Sequence, residues 1–584
     1  MNYIILDFEV FKQDVLLGAL VVDETPDPIC IQTWDPETMI EFYKAHSKDM
    51  WIGHNNIGYD NVILETIIKG RNPYKISKEI VSGNKQKCHL PIYTYDTMKG
   101  FYSLKATEMV VGKNISETPV DFDIDRALTA DEKKRVESYN RDDLNQTYEN
   151  FIAQFDEFAL RLDIIKEFDL PMKALNISEA RLAATVLGAK KIEGIEDMVV
   201  DIKLPPNLQL KNEKLKEFYL NEDFKKGKTI KFDLCGCEQT VARGGIHGAL
   251  KKVQIERALY FDVSGYYNLI MLNYDLLPRT MPEESRKLYD FMYHEQLRLK
   301  KINPRKRMIY KIILLAVFGG MLNKYTDFYD PCRGCLVTIT GELFLVDLLE
   351  KLEGTGICVQ SNTDGIVFKP NNWEEKEKII KIVEEWEERT GFVIKKEEIH
   401  NLWQRDVNNY MFDNNGKPEV RGEAVNSYGK IDHPIREQAW QSKEPEIIAR
   451  GIVDYLLYDI LPEETVEQHK LDLLLFQYAC KAMSFDYCCY EVTTKDGVVK
   501  EKLQNVNRAF ASNDSENLGT VIKYKTEEGK TKKARIQSLP PNVFIYNQDI
   551  RSESVKKELA KKIDYGYYIK RIYERCGEFI EQGN

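Results

Sequence analysis

The sequence has no long hydrophobic run and no tract rich in glycine, serine or proline. Its longest apolar stretch, IILLAVFGGML at residues 312–322, is much shorter than the roughly 20 residues that span a membrane. Because no polar low-complexity segment is present, a long disordered linker is not expected. The acidic N-terminal strand is unlike a signal peptide, so we expect a cytoplasmic protein with no membrane partner.

The cysteines do not form the pattern of a disulfide framework. There are eleven, an odd number scattered along a large chain, which is typical of reduced thiols. Cys235-x-Cys237 and Cys332-x-x-Cys335 resemble pairs of zinc ligands. However, the pairs lie far apart and no histidine follows at finger-like spacing. We expect structural thiols, with a structural zinc as the less favoured alternative.

Length and charge leave the class of partner open. A chain of 584 residues with 43% hydrophobic residues should divide into two to four domains. The net charge of -11 argues at first against a polyanionic partner, but a polyanion responds to the local surface. Residues 298–311, RLKKINPRKRMIYK, hold seven basic residues and no acidic one. A solvated helix face would explain this run equally well.

Carboxylates interrupt an otherwise apolar strand at residues 3–11, YIILDFEVF. Asp7 and Glu9 should project from the same side of the strand, about 7 Å apart. Such a pair needs a basic side chain, a hydrogen-bond network or a divalent metal such as Mg²⁺. Further on, residues 50–70 predict a strand, a polar loop and a helix starting near Asp60, for which helix capping is the simpler explanation. Residues 136–151 predict a helix with Tyr139 and Asp143 on one face.

Together these segments resemble the three exonuclease motifs of DnaQ-like 3′ to 5′ proofreading domains. The matching pieces are Asp7-x-Glu9, Asn55-x-x-x-Tyr59-Asp60 and Tyr139-x-x-x-Asp143. The resemblance implies a ribonuclease-H-like fold in which Tyr139 orients the attacking water and two divalent ions are bound by Asp7, Glu9, Asp60 and Asp143. Asp142 should face away. Residues 95–112 and PVDFD at 119–123 resemble substrate-groove and scaffold sequence of these domains.

A second group of segments lies in the C-terminal two-thirds. Residues 259–273 predict a strand carrying Asp262, followed by a turn or helix. Residues 356–370 predict a hairpin around Asn-Thr-Asp-Gly, in which Asp364 is either a turn residue or a functional one. Between them, a helix is predicted from about Arg307 until Gly319-Gly320. Lys311, Leu315 and Phe318 recur at helical spacing, which suits a surface for a triphosphate and a base.

In order and spacing these three segments resemble motifs A, B and C of family B DNA polymerases, particularly compact bacteriophage-type members. The resemblance implies that Asp262, Asp364 and the backbone carbonyl near Val263 bind metal. It implies that Tyr267 is the steric gate against ribonucleotides and that Lys311 contacts the incoming triphosphate, with Phe318-Gly319 where the family usually has Tyr-Gly. Supporting matches are RGGIHG from Arg243, which resembles the linker between exonuclease and polymerase regions, and RDVNNYMF from Arg405 and VRGEA from Val420, which resemble the primer-gripping palm segment.

Several residues depart from the family pattern. Asn362 stands where motif C usually has its first Asp, so an oxygen ligand is kept but a charge is lost. Leu315 replaces the usual motif B Asn, and Asn268 replaces the Pro that follows the gate tyrosine. Tyr266 leaves the gate assignment ambiguous by one residue. These changes bear on nucleotide selection and spare Asp262 and Asp364.

The two resemblances together imply a multidomain α/β and α+β architecture. We expect a ribonuclease-H-like exonuclease domain at residues 1–155 and a linker or support region at 156–250, followed by a right-hand polymerase. Its parts would be a palm at 251–285 and 331–435, short fingers of two antiparallel helices at 286–330, and a thumb at 436–584. In the thumb, lysine-rich VIKYKTEEGKTKKARI at 521–536 would grip duplex backbone, with a plain helical domain as the alternative.

The implied function is template-directed DNA synthesis with 3′ to 5′ proofreading, in replication of a phage genome. Partners would be primer-template DNA, dNTPs and replication accessory proteins, with a monomeric enzyme. Each active site would use two Mg²⁺ ions, with Mn²⁺ as an alternative. Arg298 and Lys301 are further candidates for triphosphate contacts. Only 49 residues separate Asp262 from Lys311, which disfavours the extra subdomain of protein-primed polymerases.

Two other functions stay open from the sequence. The chain could be an exonuclease whose degenerate polymerase half serves as a DNA-binding platform, as Asn362 and Leu315 suggest. It could also be a replication scaffold that keeps both folds without metals.

Overall fold

The computed structural model describes residues 2–23, 27–98, 102–198, 203–221, 228–241, 244–429, 440–527 and 530–580. The protein is a mixed α/β chain with several sheets, each built from a different region. Within the described ranges, no helix combines the length and the apolar character needed to cross a membrane.

The N-terminal region is built on a sheet with the strand order β3-β2-β1-β4-β5. Strand β1 is central, since it pairs antiparallel with β2 over its full length and parallel with β4. The elements are β1 (Tyr3–Val10), β2 (Val15–Val22), β3 (Ile29–Thr33), α1 (Pro36–His46), β4 (Met50–Gly53), α2 (Asp60–Ile68), α3 (Pro73–Val81), β5 (Tyr93–Asp96), α4 (Leu104–Val110) and α5 (Ala130–Ala153). Helix α5 packs against β1 and β2 and starts with a capping box between Thr129 and Glu132.

A helical connection follows. Its elements are α6 (Phe155–Glu167), α7 (Glu179–Val186) and α8 (Glu213–Leu220), with 3₁₀ turns at Met172–Asn176 and Ile195–Asp197. Apolar side chains of this connection join those of the N-terminal sheet and of the central region in one continuous core. The connection therefore fixes the N-terminal sheet to the centre of the molecule through buried apolar contact.

The central region is organised around a sheet with the order β14-β13-β12-β9-β11-β10-β8-β7-β6. Its elements are β6 (Ile230–Leu234), β7 (Cys237–Val241), β8 (His247–Ala249), β9 (Val253–Val263), α9 (Tyr266–Asn273), α10 (Glu283–Arg298), α11 (Pro304–Met321), α12 (Pro331–Leu352), β10 (Gly356–Asn362), β11 (Gly365–Pro370), α13 (Lys376–Thr390), β12 (Ile394–Asp406), β13 (Asn409–Asn414) and β14 (Lys417–Arg421). A 3₁₀ turn at Trp373–Glu375 precedes α13. The sheet brings the two predicted motif strands together, because β11 pairs with β9.

Helices α10 and α11 confirm the predicted pair of helices, but the predicted end of α11 is wrong. The helix continues through Gly319 and Gly320 to Met321. A Cβ atom on Gly320 would lie 3.0 Å from Cβ and from Cδ2 of Phe328, so this glycine permits close packing. The helix also starts three residues earlier than predicted, where the Asn303 side chain caps it ahead of Pro304.

The C-terminal region combines helices with two further sheets, β15-β18-β21 and β17-β16-β19-β20. Its elements are α14 (Glu446–Tyr458), α15 (Pro462–Gln468), β15 (Tyr478–Lys481), β16 (Tyr487–Thr494), β17 (Gly497–Lys502), β18 (Val506–Ala511), β19 (Leu518–Glu527), β20 (Lys530–Arg535), β21 (Val543–Ile545), α16 (Glu553–Leu559) and α17 (Tyr565–Cys576), with 3₁₀ turns at Leu473–Leu475 and Ala482–Ser484. The alternative of a plain helical domain is therefore wrong. The lysine-rich stretch forms the β19–β20 hairpin, consistent with its β-branched and alternating pattern.

Candidate active sites

A group of carboxylates lies where β1 faces α5. Asp7 and Glu9 project from β1 and Asp143 from α5, and one oxygen of each lies within 4.8 Å of the others. Among the described residues, these three are the one set of at least three His, Cys, Asp or Glu side chains placed to share a metal ion. The structure thus brings together residues that are more than 130 positions apart in the sequence.

Asp60 lies beside this group at the start of α2, but it is not one of the three residues whose oxygens meet within 4.8 Å. Its Oδ1 accepts a hydrogen bond from the Phe8 N–H at 3.0 Å, between Asp7 and Glu9 on β1. The explanation of Asp60 as a helix cap is not borne out, because Tyr59 occupies the N-cap position and Asp60 is the first helical residue. The predicted strand, loop and helix around it are confirmed, with the helix starting at Asp60.

Burial and mutual repulsion make these acids hard to ionise. Burial, followed by the charge of Asp143, raises the pKa of Asp7 to about 7. Burial and the charge of Asp7 also raise the pKa of Glu9 and of Asp60 well above the usual carboxyl range. A divalent cation would reverse this effect, and carboxylate oxygens are the ligands that Mg²⁺ prefers. The donor set therefore fits a hard divalent ion.

Lys105 is part of this site; it lies outside the three exonuclease motifs but inside residues 95–112, the stretch that resembles substrate-groove and scaffold sequence. Its Nζ lies 2.5 Å from Asp143 Oδ1 and 3.1 Å from Glu108 Oε1. The same atom lies 4.5 Å from the centroid of the Tyr139 ring, so the predicted water-orienting tyrosine sits directly beside it. Desolvation and the nearby acids together raise the pKa of Tyr139 strongly, so its hydroxyl stays protonated.

Asn140 is a second residue that sequence reasoning missed. Its Nδ2 donates to Asp7 Oδ2 at 2.7 Å, and its Oδ1 accepts from Gln32 Nε2 at 3.0 Å. Gly18 on β2 provides the space, because a Cβ there would overlap the Asn140 amide. The amide therefore orients the Asp7 carboxylate. Asp142 is exposed and outside the group, as predicted.

A second pair of carboxylates lies in the central sheet. Asp262 is near the end of β9, and Asp364 lies in the two-residue loop between β10 and β11. Gly365 stands opposite Asp262 in the β9–β11 ladder, and the Val263 N–H donates to the Asp364 carbonyl at 3.0 Å. The predicted hairpin is confirmed, so Asp364 is a turn residue and also a neighbour of Asp262.

This pair is less buried than the N-terminal group. Burial and the charge of Asp262 raise the pKa of Asp364 to about 6. Burial also raises the pKa of Asp262, and the Lys395 ammonium on β12 opposes that rise. Lys395 stands directly opposite Asp262 in the β9–β12 ladder. Two half-buried acids that repel each other form a donor set that a divalent cation would fit.

The two adjacent tyrosines after β9 have different surroundings. Tyr266 is buried and its hydroxyl donates to the Gly341 carbonyl at 2.7 Å. Tyr267 is half-buried and stacks on Phe318 of α11, with ring centroids 4.1 Å apart and planes 15° apart. Asn268 accepts a hydrogen bond from the Tyr289 hydroxyl at 2.9 Å, which ties α9 to α10. Of the two tyrosines, Tyr267 is the one that borders open space.

The predicted cations lie at different places on the helix pair. Lys311 is half-buried on the same face of α11 as exposed Leu315 and as Phe318, about 10 Å along the helix from Phe318. Arg298 ends α10 and pairs with Glu295 at 2.6 Å. Lys301 is exposed in the connection between α10 and α11. In the described contacts, neither Arg298 nor Lys301 touches another predicted site residue.

The unusual Asn362 braces the hairpin. Its Nδ2 donates to the Val407 carbonyl at 3.3 Å, and its Oδ1 accepts from Thr363 Oγ1 at 2.9 Å. Val407 belongs to the predicted palm segment RDVNNYMF, which is thereby tied to the Asp364 loop. The predicted linker match RGGIHG starts at Arg243, which lies outside the described residues.

The cysteine pairs do not form a zinc site in the described structure. All eleven cysteines are free, and none belongs to a group of metal-ligand side chains. Cys235 donates its thiol to the Leu349 carbonyl at 3.2 Å in the core. The interpretation as structural thiols fits these positions.

No protein-family model matches the sequence, and no curated protein matches it. Among solved structures, the chain is similar to the family B DNA polymerase from the hyperthermophilic archaeon Pyrobaculum calidifontis, with a TM-score of 0.43 and 13% sequence identity. The match covers 100% of this chain and 78% of that polymerase.

Proposed function

We propose that this chain is a DNA polymerase of family B, of the compact bacteriophage type, with a separate 3′ to 5′ exonuclease site. The observation that carries the proposal is the convergence of motif residues from distant segments at two different places. One place collects Asp7, Glu9, Asp60 and Asp143, and the other collects Asp262 and Asp364. Two carboxylate centres in one chain suit opposing reactions at a DNA 3′ end.

Metal ions are expected at both places. Asp7, Glu9, Asp60 and Asp143 would hold ions at the first, and Asp262, Asp364 and the backbone near Val263 at the second. When bound, Mg²⁺, or Mn²⁺ as an alternative, supplies charge neutralisation for phosphoryl transfer. The stoichiometry that we propose is two ions at each site.

In the proposed exonuclease site, the protein's own groups set the position of the carboxylates. Asn140 fixes the Asp7 carboxylate by a hydrogen bond, and Lys105 fixes Asp143. The protonated Tyr139 hydroxyl, which lies close to Asp143, would donate to an attacking water. The Lys105 ammonium, which contacts Asp143 and Glu108, would also add positive charge close to the phosphate.

In the proposed polymerase site, the nucleotide would lie between the central sheet and α11. Tyr267, stacked on Phe318, would form an aromatic wall next to the sugar and exclude ribonucleotides by contact. Lys311 would bind the triphosphate from the same face of α11. We keep Arg298 and Lys301 as candidates for outer phosphate contacts, at the tip of the helix pair.

The remaining parts of the proposal follow from this assignment. The exonuclease domain is residues 1–155, the support region 156–250, the palm 251–285 and 331–435, the fingers 286–330 and the thumb 436–584. Primer-template DNA and dNTPs would be the substrates, and the β19–β20 hairpin, with lysines at 523, 525, 530, 532 and 533, would contact duplex phosphates. The site of action would be the host cytoplasm during replication of a phage genome, with accessory proteins assisting a monomer.

A second candidate function is an exonuclease whose polymerase half only binds DNA. It is favoured by Asn362, whose amide braces the hairpin by hydrogen bonds and carries no charge for a metal. Leu315 also favours this second function, because it exposes an apolar side chain on the proposed nucleotide-binding face.

The test compares primer extension and 3′ trimming in the wild type and three variants, with dNTPs and Mg²⁺. Asp364→Ala should lose extension and keep trimming, whereas Asp7→Ala should do the reverse. Asp142→Ala is the matched control, because it removes a neighbouring exposed carboxylate and should keep both activities.

Other outcomes have distinct meanings. Loss of both activities in either folded single variant would contradict two independent sites. Robust trimming without extension in the wild type would favour the exonuclease with a DNA-binding platform. DNA binding with neither activity, unchanged by either substitution, would favour a scaffold.

A further inference from the structure

A short segment of the N-terminal region is bound tightly to the C-terminal region. The segment runs from the end of α4 to residue 117. The Ile115 N–H donates to the Asn547 carbonyl at 2.7 Å, and the Ile550 N–H donates to the Gly112 carbonyl at 2.9 Å. The α4 side chains Ala106, Met109 and Val110 share a buried apolar cluster with Trp440 and Val506. Residues about 400 positions apart therefore meet as one packed unit.

Arg508 of β18 lies at the centre of this contact. Its side chain is fully buried, and its Nη2 donates to the carbonyls of Met109 at 3.0 Å and Lys113 at 2.9 Å. Its Nη1 donates to the Gln548 carbonyl at 2.8 Å, and its Nε donates to Gln477 Oε1 at 3.0 Å. The guanidinium thus joins the last turn of α4 to two segments of the C-terminal region.

The charge of this guanidinium is held by backbone dipoles. Each of the hydrogen bonds described for Arg508 goes to a carbonyl or amide oxygen, and none goes to a carboxylate. Burial lowers its pKa to about 9, so it remains a cation at neutral pH. The carbonyls at the end of α4 carry the negative end of the helix dipole, which is where a cation is favourable. A buried charge of this kind is costly unless its surroundings are organised for it.

The other end of the same helix carries Lys105. Helix α4 spans only Leu104–Val110, so Lys105 lies about one turn from the Met109 carbonyl that Arg508 binds. Lys105 in turn contacts Asp143 at 2.5 Å in the carboxylate group. A shift or fraying of this short helix would move Lys105 away from Asp143.

We infer that Arg508 is a positioning residue of the N-terminal carboxylate site. By fixing the end of α4, it holds Lys105 against Asp143, so the site depends on a residue of the C-terminal region. This inference rests on the proposed exonuclease function, and it adds that trimming needs the contact between the N-terminal and C-terminal regions.

The first experiment uses the full-length chain with Arg508→Gln, Lys105→Met and the double variant. For Arg508→Gln, we expect the kcat for trimming a single-stranded oligonucleotide to fall about tenfold, with KM within about twofold of wild type. Primer extension should stay within about twofold of wild type. Because Arg508 acts through Lys105, the double variant should trim no more slowly than Lys105→Met alone.

A second pair of variants tests the contact without touching Arg508. Gly112 has φ +81°, and a Cβ there would lie 2.8 Å from Leu474 and 3.1 Å from Ile550. Gly83 has φ +98° with open space around it, so Gly83→Ala carries similar backbone strain without pressing on a neighbour. We expect Gly112→Ala to slow trimming about tenfold and to speed amide hydrogen exchange in residues 104–113 about tenfold. Gly83→Ala should change neither.

The outcomes separate this inference from the proposed function. If the wild type does not trim, the proposed exonuclease function is wrong. Faster hydrogen exchange of the α4 amides in Arg508→Gln would then still support the inference that Arg508 fixes the end of α4. If the wild type trims and both Arg508→Gln and Gly112→Ala trim at its rate, the inference is overturned. It is also overturned if the losses in the double variant multiply, because Arg508 would then not act through Lys105.

Discussion

The two carboxylate centres differ in how the protein accommodates negative charge. In the N-terminal group, Glu9, Asp60 and Asp143 are buried, and Lys105 of α4 and Asn140 of α5 contact the acids. In the central sheet, Asp262 and Asp364 are only half-buried, and Lys395 stands across the ladder from Asp262. The first site is therefore assembled and tightly braced, and the second is open.

This difference follows from how the elements meet. The N-terminal site is formed by a strand and three helices that pack together, so each acid is desolvated and needs its own partner. The central site is formed by the register of neighbouring strands. Tyr267, which stacks on Phe318 of α11, is near enough to Asp364 that the charge of Asp364, after burial, raises the pKa of the tyrosine. Under the proposed function, the crowded site would hold a frayed strand end firmly, and the open site would admit duplex DNA and a nucleotide.

The largest difference between the two sites is expected when Lys105 is replaced, because only trimming should be lost. Lys105→Met removes the cation that contacts Asp143, so trimming kcat should fall about 100-fold while extension is kept. Single-turnover trimming assays would measure it. Lys75→Met, which removes an exposed lysine of α3, is the control with the same change in charge. Trimming at the wild-type rate in Lys105→Met would show that the braced site does not need its lysine.

At the open site, the matching cation is Lys311. Lys311→Met should raise the KM for dNTPs about 30-fold and leave trimming unchanged, because a charge-assisted contact to the triphosphate is lost. Steady-state primer extension measures this change. Lys300→Met removes a nearby exposed lysine and serves as the control. An equal rise in KM for both variants would indicate a general effect of charge.

The next prediction concerns Tyr267, which stacks on Phe318 at the edge of the open site. Tyr267→Val should lower the preference for dNTPs over rNTPs about tenfold, because the stacked ring no longer blocks a 2′-hydroxyl. The ratio of kcat/KM for the two nucleotides gives the result. Tyr266→Phe, which loses only the buried hydrogen bond to Gly341, should keep the preference. The opposite pattern would move the gate to Tyr266.

The last prediction concerns stability without metal. The pKa of Asp7 is raised in the folded protein to about 7, so the folded state binds protons more strongly than the unfolded state. In EDTA, the free energy of unfolding should therefore fall as pH rises from about 4 to 7, because the unfolded state releases the Asp7 proton over this range while the folded state still holds it. Asp7→Asn should reduce this fall, and Mg²⁺ should reverse it in the wild type. Denaturant unfolding at several pH values measures it. A metal-free wild type that gains stability over this range would contradict the raised pKa.

Local sequence patterns predicted the acids and their elements. The strand carrying Asp7 and Glu9, the helix starting at Asp60 and the hairpin around Asp364 depend on alternation, turn residues and helical spacing within a few residues. Each of these elements is present in the structure. Their meeting at two places was reachable only through the family resemblance.

The partners of the acids could not be predicted in the same way. Lys105 meets Asp143 from 38 residues away, and Arg508 meets the end of α4 from about 400 residues away. No periodicity encodes such contacts, because they arise from tertiary packing. The prediction that Gly319-Gly320 ends α11 was wrong for a related reason. Phe328 packs against Gly320 so closely that a side chain there would clash, which explains the glycine without a helix end.

The central claim is that acids gather divalent cations at two independent places. Its most direct test is anomalous diffraction from crystals of the full-length protein soaked in Mn²⁺. We predict peaks between Asp7, Glu9 and Asp143 and, separately, between Asp262 and Asp364. A crystal with Mn²⁺ bound at the N-terminal group, but with Asp262 and Asp364 pointing apart and no ion between them, would contradict the account of synthesis.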